Sequence, residues 1–334
     1  MKNYLLLLSI LTFFTTQAQL SNKHWLPPLH SRDETAIQDH YIYISTAEVT
    51  PFQVVVTTGN GVPIAGSPFT ISQTTPVVVT VGNGQPTSMF LDISDVNTVQ
   101  SDKGLILEGT KDFYVSFRMR HQNHAETLIS KGRPGIGTDF RLGSTPQGGE
   151  VSIRNFVASV MATEDNTSIT LSDYNTAVEF VSGTGLITAD TQTFLLNAGQ
   201  TIVFSGYADN FNNWTGFIGA SLTSTKPVAV STGNATAGVT NNGSDFTLDQ
   251  IVSSSQIGTE YIFIEGNGLP DMESPLIIAD DDNTQIFVNG NPTAAITLNA
   301  GDYFLVPNSA YQGTTNRNIY VKSSKPVFAY QLIG

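Results

Sequence analysis

Hydrophobic and polar residues alternate along this chain in short runs, and the spacing typical of an amphipathic helix is almost absent. The runs are rich in β-branched and aromatic residues, which favour the pleated surface of a sheet. Gly, Asn, Asp and Pro separate the runs and indicate turns. Examples are YIYIST (41–46), FQVVVT (52–57), FYVSFRM (113–119), TIVFS (201–205) and EYIFI (260–264). This pattern predicts an all-β protein of antiparallel, sandwich-like modules with almost no helix.

Three kinds of short phrase recur in the same order and at similar spacing, which is the signature of an internal repeat. The first is a Lys-Pro phrase, found as TSTKPVAVS at 223–231, as SSKPVFAYQ at 323–331 and in the degenerate form GTKDFYVSF at 109–117. The second is a glycine phrase, found as LNAGQTIVFS from 196, as LNAGDYFLVP from 298 and in the weaker form VGNGQPTSMF from 81. The third is an acidic turn, found as ATEDNTSI from 162, as ADDDNTQI from 279 and faintly as TAEVTPFQV from 46. The repeat predicts three related β modules at 37–129, 130–250 and 251–334, preceded by a leader at 19–36. Each module is expected to open on an aromatic strand, QDHYIYI from 38, GTDFRLG from 137 and GTEYIFI from 258.

The repeated phrases have local physical interpretations. We expect Lys-Pro to start a strand, because proline restricts the preceding residue to extended geometry and is tolerated where no ladder donor is needed. Val228 and Val230 should then face one side of the sheet and Ala229 the other. The glycine of the second phrase (Gly84, Gly199 or Gly301) should supply the positive φ of a tight hairpin turn.

The N-terminal residues predict export. Lys2 precedes an apolar run at 5–14, and the small residues at 16–18 suit a cleavage site, so 1–18 are predicted to be a secretory signal peptide cut between Ala18 and Gln19. The run is too short for a permanent membrane helix, and no later stretch reaches about 20 apolar residues.

Composition narrows the chemistry. The chain has no cysteine, which excludes disulfides, thiolate metal sites and the lipid-bearing cysteine of a bacterial lipoprotein. An exported protein without cysteine fits a bacterium better than an animal secretory pathway. The net charge of −13, without a basic patch, argues against nucleic acid and anionic membranes as partners.

Several phrases together resemble the N-terminal domain of IgGFc-binding proteins, in the form found at the start of large exported proteins of Bacteroidetes. They are LSNKHWLPPLHS (20–31), DFRLGS (139–144), NFVASVMATEDNTSITL (155–171), LNAGQTIVF (196–204), IGASLTSTKPVAVSTGN (218–234) and DFTLDQIVSSSQIGTEYIFIEGNG (245–268). The resemblance implies a secreted or cell-surface binding module. Its bacterial relatives resemble gliding-motility-associated proteins that carry a C-terminal sorting domain for type IX secretion, so the chain is expected to continue into further domains.

One departure from the family matters for function. Animal members pair cysteines in the loop after the second Lys-Pro-Val, whereas the loop here, 234–250, contains none. Immunoglobulin binding is therefore not carried over to this chain.

The 234–250 loop is long and rich in Asn and Gly, and long loops in compact domains are often functional. It suggests a recognition surface that includes Asn234, Asp245 and Asp249; the alternative is a linker between modules. The phrase GYADNFNNWTGF from 206 suggests an aromatic platform for sugar rings, formed by Tyr207 and Trp214 with Phe211. Packing in a core or loop is the simpler interpretation of these rings.

Two clusters have ligand types that suit metals. Asp280, Asp281 and Asp282, with Asp165 as the counterpart of Asp282, could supply oxygens to calcium, although an Asp-Asn turn also explains them. His121, His124 and Glu126 have ligand types that suit zinc. The two histidines would point to opposite faces of one strand, so only a turn would let them converge.

An enzyme is the least supported class. Acidic residues such as Asp271 and Glu273 have glycosidase chemistry, but no nucleophile, phosphate-binding or dinucleotide motif is present. The sequence therefore predicts an exported, non-enzymatic adhesion or recognition protein that binds a glycan or glycoprotein without a required cofactor. The alternatives are a structural spacer that presents other domains, and a polysaccharide-acting enzyme.

Overall fold

A computed structural model describes residues 20–32, 37–121, 124–239, 244–268 and 272–331. The predicted signal peptide, with its cleavage between Ala18 and Gln19, lies outside the described residues. The fold is all-β and consists of three antiparallel, nearly closed sheets in tandem, which confirms the predicted fold class. No helix in the described ranges has the length and apolarity needed to span a membrane.

The first sheet is built around one long strand, β8. Its strands run in the order β5-β4-β8-β3-β6, and β1 and β9 also pair with β8. Two short strands, β2 and β7, form a separate parallel pair. The strands are β1 (Ser21–Leu26), β2 (Leu29–His30), β3 (Gln38–Ser45), β4 (Phe52–Thr58), β5 (Phe69–Ile71), β6 (Val77–Gly82), β7 (Phe90–Leu91), β8 (Leu105–His121) and β9 (His124–Ile129).

The second sheet repeats this plan around β17, in the order β15-β12-β17-β11-β16, with β10 and β18 also paired to β17. A two-stranded sheet, β13-β14, lies beside it. Its strands are β10 (Gly137–Arg141), β11 (Asn155–Ala162), β12 (Thr167–Ser172), β13 (Phe180–Ser182), β14 (Gly185–Ile187), β15 (Gln192–Leu196), β16 (Thr201–Tyr207), β17 (Ser221–Ala237) and β18 (Asp245–Ile251).

The third sheet is built around β24, in the order β22-β21-β24-β20-β23, with β19 also paired to β24. Helical structure in the described residues is limited to α1 (Gly132–Gly135) and single 3-10 turns. The strands are β19 (Gly258–Ile264), β20 (Pro275–Ala279), β21 (Thr284–Val288), β22 (Ile296–Leu298), β23 (Tyr303–Leu305) and β24 (Asn318–Gln331), and the 3-10 turns are Ile93–Asp95, Phe211–Trp214, Ser254–Gln256 and Asn308–Ala310.

The pairing shows where the first repeat begins. Ser21 of β1 lies opposite Phe113, as Gly137 of β10 lies opposite Val228 and Gly258 of β19 opposite Val327. The stretch expected to be a leader therefore contributes the first strand of the first sheet. The aromatic strand β3, expected to match β10 and β19, corresponds instead to β11 and β20, because all three pair with the C-terminal half of the long strand.

The Lys-Pro phrase does not start a strand, contrary to expectation. Lys226 and Pro227 lie inside β17, which begins at Ser221. Pairing with β10 shifts register across this point, because Gly137 and Asp139 lie opposite Val228 and Thr223. The phrase is therefore a bulge, a place where proline is tolerated inside a strand because the ladder is already interrupted. The predicted side-chain directions are confirmed, since Val228 and Val230 enter the second core and Ala229 packs outside it.

The lysine of the phrase holds the acidic turn. Lys226 Nζ donates to the main-chain oxygen of Asp165 over 2.5 Å, and Lys325 Nζ donates to that of Asp282 over 2.6 Å. Lys111 of the degenerate copy instead pairs with the Glu48 carboxylate at 2.8 Å. The recurrence of lysine and acidic turn at fixed spacing thus reflects a direct contact.

The glycine phrase has the predicted backbone but not the predicted topology. Gly84, Gly199 and Gly301 all have positive φ, at 83°, 77° and 83°. Gly199 and Gly301, however, join the two terminal strands of their sheet orders and not a paired hairpin. Gly84 follows β6, whereas Gly199 precedes β16, so the first copy is not equivalent to the other two.

The modules share buried surface. The core cluster of the first sheet includes Val157, Val203 and Ala235, which belong to strands of the second sheet. The neighbouring residues Ala158 and Ile202 face the second core. Every residue of β11 and β16 is buried, so these strands are covered on both faces, by their own module and by the first one.

Candidate binding groove

A groove with a volume of about 310 Å³ lies where the three sheets meet. We call it the junction groove. Its walls come from β9, from β18 and from the C-terminal end of β24, with contributions from the segment after β10 and from β17 and β20. The lining residues are Glu126, Thr127, Ile129, Lys131, Gly143, Ser144, Thr145, Thr232, Gly233, Phe246, Thr247, Leu248, Asp249, Leu276, Ala329, Tyr330 and Gln331.

Unpaired strand edges border the groove. Among the described strands, β9 pairs with β8 alone and β18 pairs with β17 alone. Residues 328–331 of β24 pair with β20 and with no other described strand. Exposed edges present backbone N–H and C=O groups, which can be satisfied by an added strand.

The charges of the groove are mostly acidic. Asp249 forms an ion pair with Lys131, whose Nζ lies 3.0 and 3.2 Å from the two carboxylate oxygens. Glu126 has no basic partner among the described residues. Its carboxylate accepts the backbone N–H of Thr127 at 2.7 Å and that of Leu248 at 3.4 Å.

Burial changes the acid strength of this glutamate. Desolvation raises the pKa of Glu126 to about 7, and the nearby carboxylates of Asp249 and Asp245 act in the same direction. The two backbone N–H donors oppose the shift without cancelling it. Near neutral pH the carboxyl group of Glu126 is therefore partly protonated, and a cation bound beside it would favour the ionised form.

Asn234 lies beneath the groove and not on its surface. It is fully buried, and its Oδ1 accepts the backbone N–H of Thr145 at 2.7 Å and the hydroxyl of Thr247 at 3.3 Å. Both threonines line the groove, and their hydroxyls are 2.7 Å apart. Asn234 thus fixes the groove floor, Asp249 lines the wall, and Asp245 lies farther along β18.

The two histidines of the zinc hypothesis do converge. The pairing of β8 with β9 places His121 opposite His124, and their rings are stacked with centroids 6.0 Å apart. His124 Nδ1 lies 3.5 Å from Asp245. Within the described part of the chain, no group of three or more His, Cys, Asp or Glu side chains has a geometry suited to a metal ion.

The side chain of Asp282 stabilises the turn that contains the three aspartates at 280–282. Asp282 Oδ1 accepts the N–H of Ala300 at 3.0 Å, as Asp165 Oδ1 accepts that of Ala198 at 3.0 Å. Asp280 lies 3.5 Å from Arg141 of the preceding module. These contacts favour the turn interpretation for Asp280, Asp281 and Asp282, and calcium binding there stays a prediction.

The proposed sugar platform is only partly exposed. Tyr207 is 5% exposed, its hydroxyl lies 3.3 Å from His30 Nε2, and the Arg32 guanidinium covers its ring at 4.2 Å. Trp214 donates its Nε1–H to Ala208 at 2.7 Å, and Phe211 is exposed. Stacking on sugars at this site therefore depends on Trp214 and Phe211.

Of the acidic pair considered for glycosidase chemistry, Asp271 lies outside the described residues. Glu273 is buried, and its carboxylate accepts the N–H groups of Gly266 and Gly268, each at 2.9 Å. These bonds stabilise the backbone at Gly266 and Gly268 after β19, so Glu273 has a structural role.

Among the groove residues that the sequence did not predict, two have clear structural roles. Lys131 follows β9 in a polar linker and has no distinguishing pattern around it. Tyr330 belongs to the repeated Lys-Pro phrase, which predicts only a strand, yet its hydroxyl donates to the main-chain oxygen of Arg141 at 2.8 Å and joins the third module to the second. Alignment of the repeated phrases does mark this position, because the third copy has Tyr330 where the second copy has the small residue Ser231.

Comparison with known proteins gives one match. The family model described as IgGFc binding protein matches residues 125–334, which begin in β9 and include all of the second and third sheets. No curated protein and no solved structure matches the chain.

Proposed function

The chain belongs to the IgGFc binding protein family, and we propose that it is an exported, non-enzymatic recognition protein that binds a glycoprotein or glycan. The junction groove is the proposed binding site, with Asp249 and Glu126 as the charged contacts. The family is one of binding proteins, which supports recognition as the general function. No cofactor is required by this proposal.

The observation that carries the proposal is the position of the groove. Ligand sites occur preferentially at interfaces between domains, where separate elements bring polar groups together around an apolar surface. Here Leu276 and Phe246 supply apolar surface, and Lys131, Asp249 and Glu126 supply charge.

The proposed location is the extracellular space or outer surface of a bacterium. The predicted signal peptide and the absence of cysteine support it. The resemblance to exported Bacteroidetes proteins further suggests adhesion at the cell envelope, with type IX sorting by a domain of a longer chain. Several weak contacts by neighbouring copies would strengthen such adhesion through multivalency.

The test is a binding screen against glycans, mucins and other glycoproteins, with a variant that obstructs the groove. Thr127→Arg places a long side chain at an exposed lining position of β9, and Thr193→Arg is the matched control on an exposed position of β15. We expect the wild-type protein and T193R to bind a common ligand and T127R to bind it at least about tenfold more weakly. An empty screen, or equal binding by T127R, would contradict the proposal.

A structural spacer is the second candidate, and close packing between modules favours it. A methyl group on Gly199 would overlap the carbonyl oxygen of Gly59, and one on Gly219 would overlap that of Gly301. Such backbone approach between modules suits a rigid spacer. A spacer predicts no ligand in the screen and a scattering profile of fixed shape.

A further inference from the structure

We propose that the side chains of Lys131 and Asp249 form an intramolecular amide bond, which joins the segment after β9 to β18 and closes the second sheet into a covalent loop. A pull on the two ends of the chain could then not extend the residues between the two partners. The proposal goes beyond recognition and does not depend on the proposed function. The bond removes the charge of Asp249 and leaves Glu126 as the acidic contact of the groove.

The pair differs from the other lysine–carboxylate pairs of the described chain. Lys131 Nζ lies 3.2 and 3.0 Å from the two carboxylate oxygens of Asp249, so it lies close to the carboxyl carbon between them. The Lys131 side chain is 16% exposed, whereas the lysines of the other described pairs are 25% (Lys23), 37% (Lys111) and 55% (Lys322) exposed. Burial makes a lysine amine nucleophilic, because it disfavours the ammonium form.

Gln250, the residue after Asp249, holds the backbone at Lys131. Its Oε1 accepts the backbone N–H of Lys131 at 2.6 Å and the Ser130 hydroxyl at 3.0 Å, and its Nε2 donates to the main-chain oxygen of Trp25 at 2.6 Å. Asp249 itself belongs to β18. The two reacting groups are thus fixed in contact, which removes most of the entropic cost of bringing them together.

Apolar side chains lie beside the pair. A second cavity, with a volume of about 210 Å³, is lined by Lys131 and Asp249 together with Ile251, Phe328 and Tyr330. Low polarity there favours a neutral amide over two separate charges. The Asp249 side chain is 49% exposed and lines the junction groove, through which the released water can leave.

The reaction is a condensation and needs no co-reactant. The ammonium group of Lys131 transfers a proton to the carboxylate of Asp249, which gives a neutral amine and a carboxylic acid. The amine nitrogen attacks the carboxyl carbon, so that a C–N bond forms and the C–OH bond breaks. The nitrogen loses its second proton, and the hydroxyl group leaves as water.

Glu126 is suited to move these protons. It lines the same groove, and its carboxylate accepts the N–H of Leu248, the residue before Asp249, at 3.4 Å. Burial, together with the charge of Asp249, raises the pKa of Glu126 to about 7. A partly protonated carboxyl group can take a proton from the nitrogen and donate one to the leaving hydroxyl, directly or through one water molecule.

The experiment measures the intact mass of the purified protein and locates the bond by peptide mapping. Lys131→Arg is the main variant, because arginine keeps the positive charge but its guanidinium stays protonated and does not attack a carboxyl group. Lys111→Arg is the matched control, since Lys111 forms an exposed ion pair with Glu48. Glu126→Gln tests the proton transfer.

We expect the wild-type protein and K111R to be lighter by one water molecule than the masses calculated from their sequences. Proteolysis should release a branched peptide that contains both Lys131 and Asp249. K131R should have its full mass. E126Q should contain the bond in less than about a tenth of the molecules, because general acid–base catalysis contributes at least about a hundredfold to the rate.

Full mass in the wild-type protein would overturn the proposal. A water loss that K131R retains would also overturn it, since an aspartate can lose water by forming a succinimide. Bond formation in E126Q at the wild-type level would show that Glu126 takes no part in the reaction. Glycan binding by a wild-type protein of full mass would reject this inference and leave the proposed function standing.

Discussion

His24 and Glu126 are ionisable side chains that burial keeps neutral over part of the ordinary pH range, and they act on stability in opposite directions. Burial lowers the pKa of His24 to about 4 and raises that of Glu126 to about 7. In both cases the charged form loses its hydration. The pH dependence of stability should therefore contain two opposing contributions that substitution can separate.

Glu126→Gln should make the protein more stable at pH 8 and leave it nearly unchanged at pH 5. The folded state holds the Glu126 proton up to about pH 7, whereas the unfolded state releases it near 4.5, so the stability of the wild-type protein falls as pH rises through this window. Glutamine cannot ionise, so the variant does not lose stability as pH rises through this window. Thermal unfolding at the two pH values measures the effect, with Glu260→Gln, at an exposed position of β19, as the control. Parallel melting profiles for E126Q and the wild type would contradict the assignment.

His24 should destabilise the protein in acid. It is fully buried, its Nδ1 lies 3.0 Å from the Ser130 hydroxyl, and its Nε2 lies within reach of the carbonyl oxygens of Ser21 and Phe113. Its pKa is lower in the folded state than the ordinary 6.5, so the unfolded state takes up the proton first as pH falls. The contribution is present above pH 6.5 and is lost towards pH 4, by up to about 3 kcal/mol.

Denaturant unfolding between pH 4 and pH 7 measures this loss. The variant His24→Gln should be less stable at pH 7, because the buried bonds are weakened, and should show a shallower decline in acid. His30 and His40 also have pKa values lowered by burial, so part of the decline should remain in the variant. An unchanged slope in H24Q would show that His24 does not contribute.

At the scale of elements, the glycine turns both reverse the chain and join modules. Gly199 has a φ of 77°, and a methyl group there would overlap the carbonyl oxygen of Gly59 in the first module. Gly290 has a similar φ of 72°, but no atom lies within 4 Å of the place where its methyl group would be. Substitution of Gly290 therefore measures the cost of backbone strain alone, whereas substitution of Gly199 adds the loss of the contact between modules.

Gly290→Ala should cost about 1 kcal/mol, the cost of a left-handed conformation for a residue with a Cβ. Gly199→Ala should cost clearly more, about 2 to 4 kcal/mol, because the overlap is with backbone that cannot rotate away. Chemical denaturation of both variants gives the comparison. Equal losses would show that the contact between Gly199 and Gly59 adds nothing to stability.

The repeat phrases allowed the class of fold to be predicted, because alternating apolar residues and turn glycines reflect local backbone preferences. They did not allow the strand order to be predicted. Lys226-Pro227 looks like a strand start, since proline lacks a ladder donor, but in the fold the same property is used at a bulge inside β17. The first strand, β1, was missed because its residues SNKHWL have little alternation and pair only with distant residues of β8.

At the scale of the whole molecule, the candidate site could be predicted only in part. Asp249 was singled out because 234–250 was expected to be a loop, whereas it lies on β18. The groove exists only because β9, β18 and β24 meet. Glu126 and Tyr330 are more than 200 residues apart in the chain. Nothing local in the sequence brings them together, since their positions depend on how the modules pack.

That packing leads to a prediction about cooperativity. Val203 belongs to β16 of the second sheet, yet it lies in the core cluster of the first, and its carbonyl accepts the N–H of Asn97 at 2.9 Å. Gln100 and Thr201 exchange two further backbone bonds of 2.8 and 2.9 Å between the modules. Val203→Ala should therefore reduce amide protection in β3 and β8 as much as in β11 and β17, by about 2 kcal/mol in opening free energy.

Val321→Ala is the matched control, because Val321 is equally buried but lies in the core of the third sheet. It should reduce protection mainly in the third sheet. If V203A reduced protection only in the strands of the second sheet, the first two modules would open independently, and their shared core would not make them one cooperative unit. If protection falls in both, the repeat marks three structural copies of which the first two unfold together, and the groove walls formed by β9 and β18 belong to one cooperative unit.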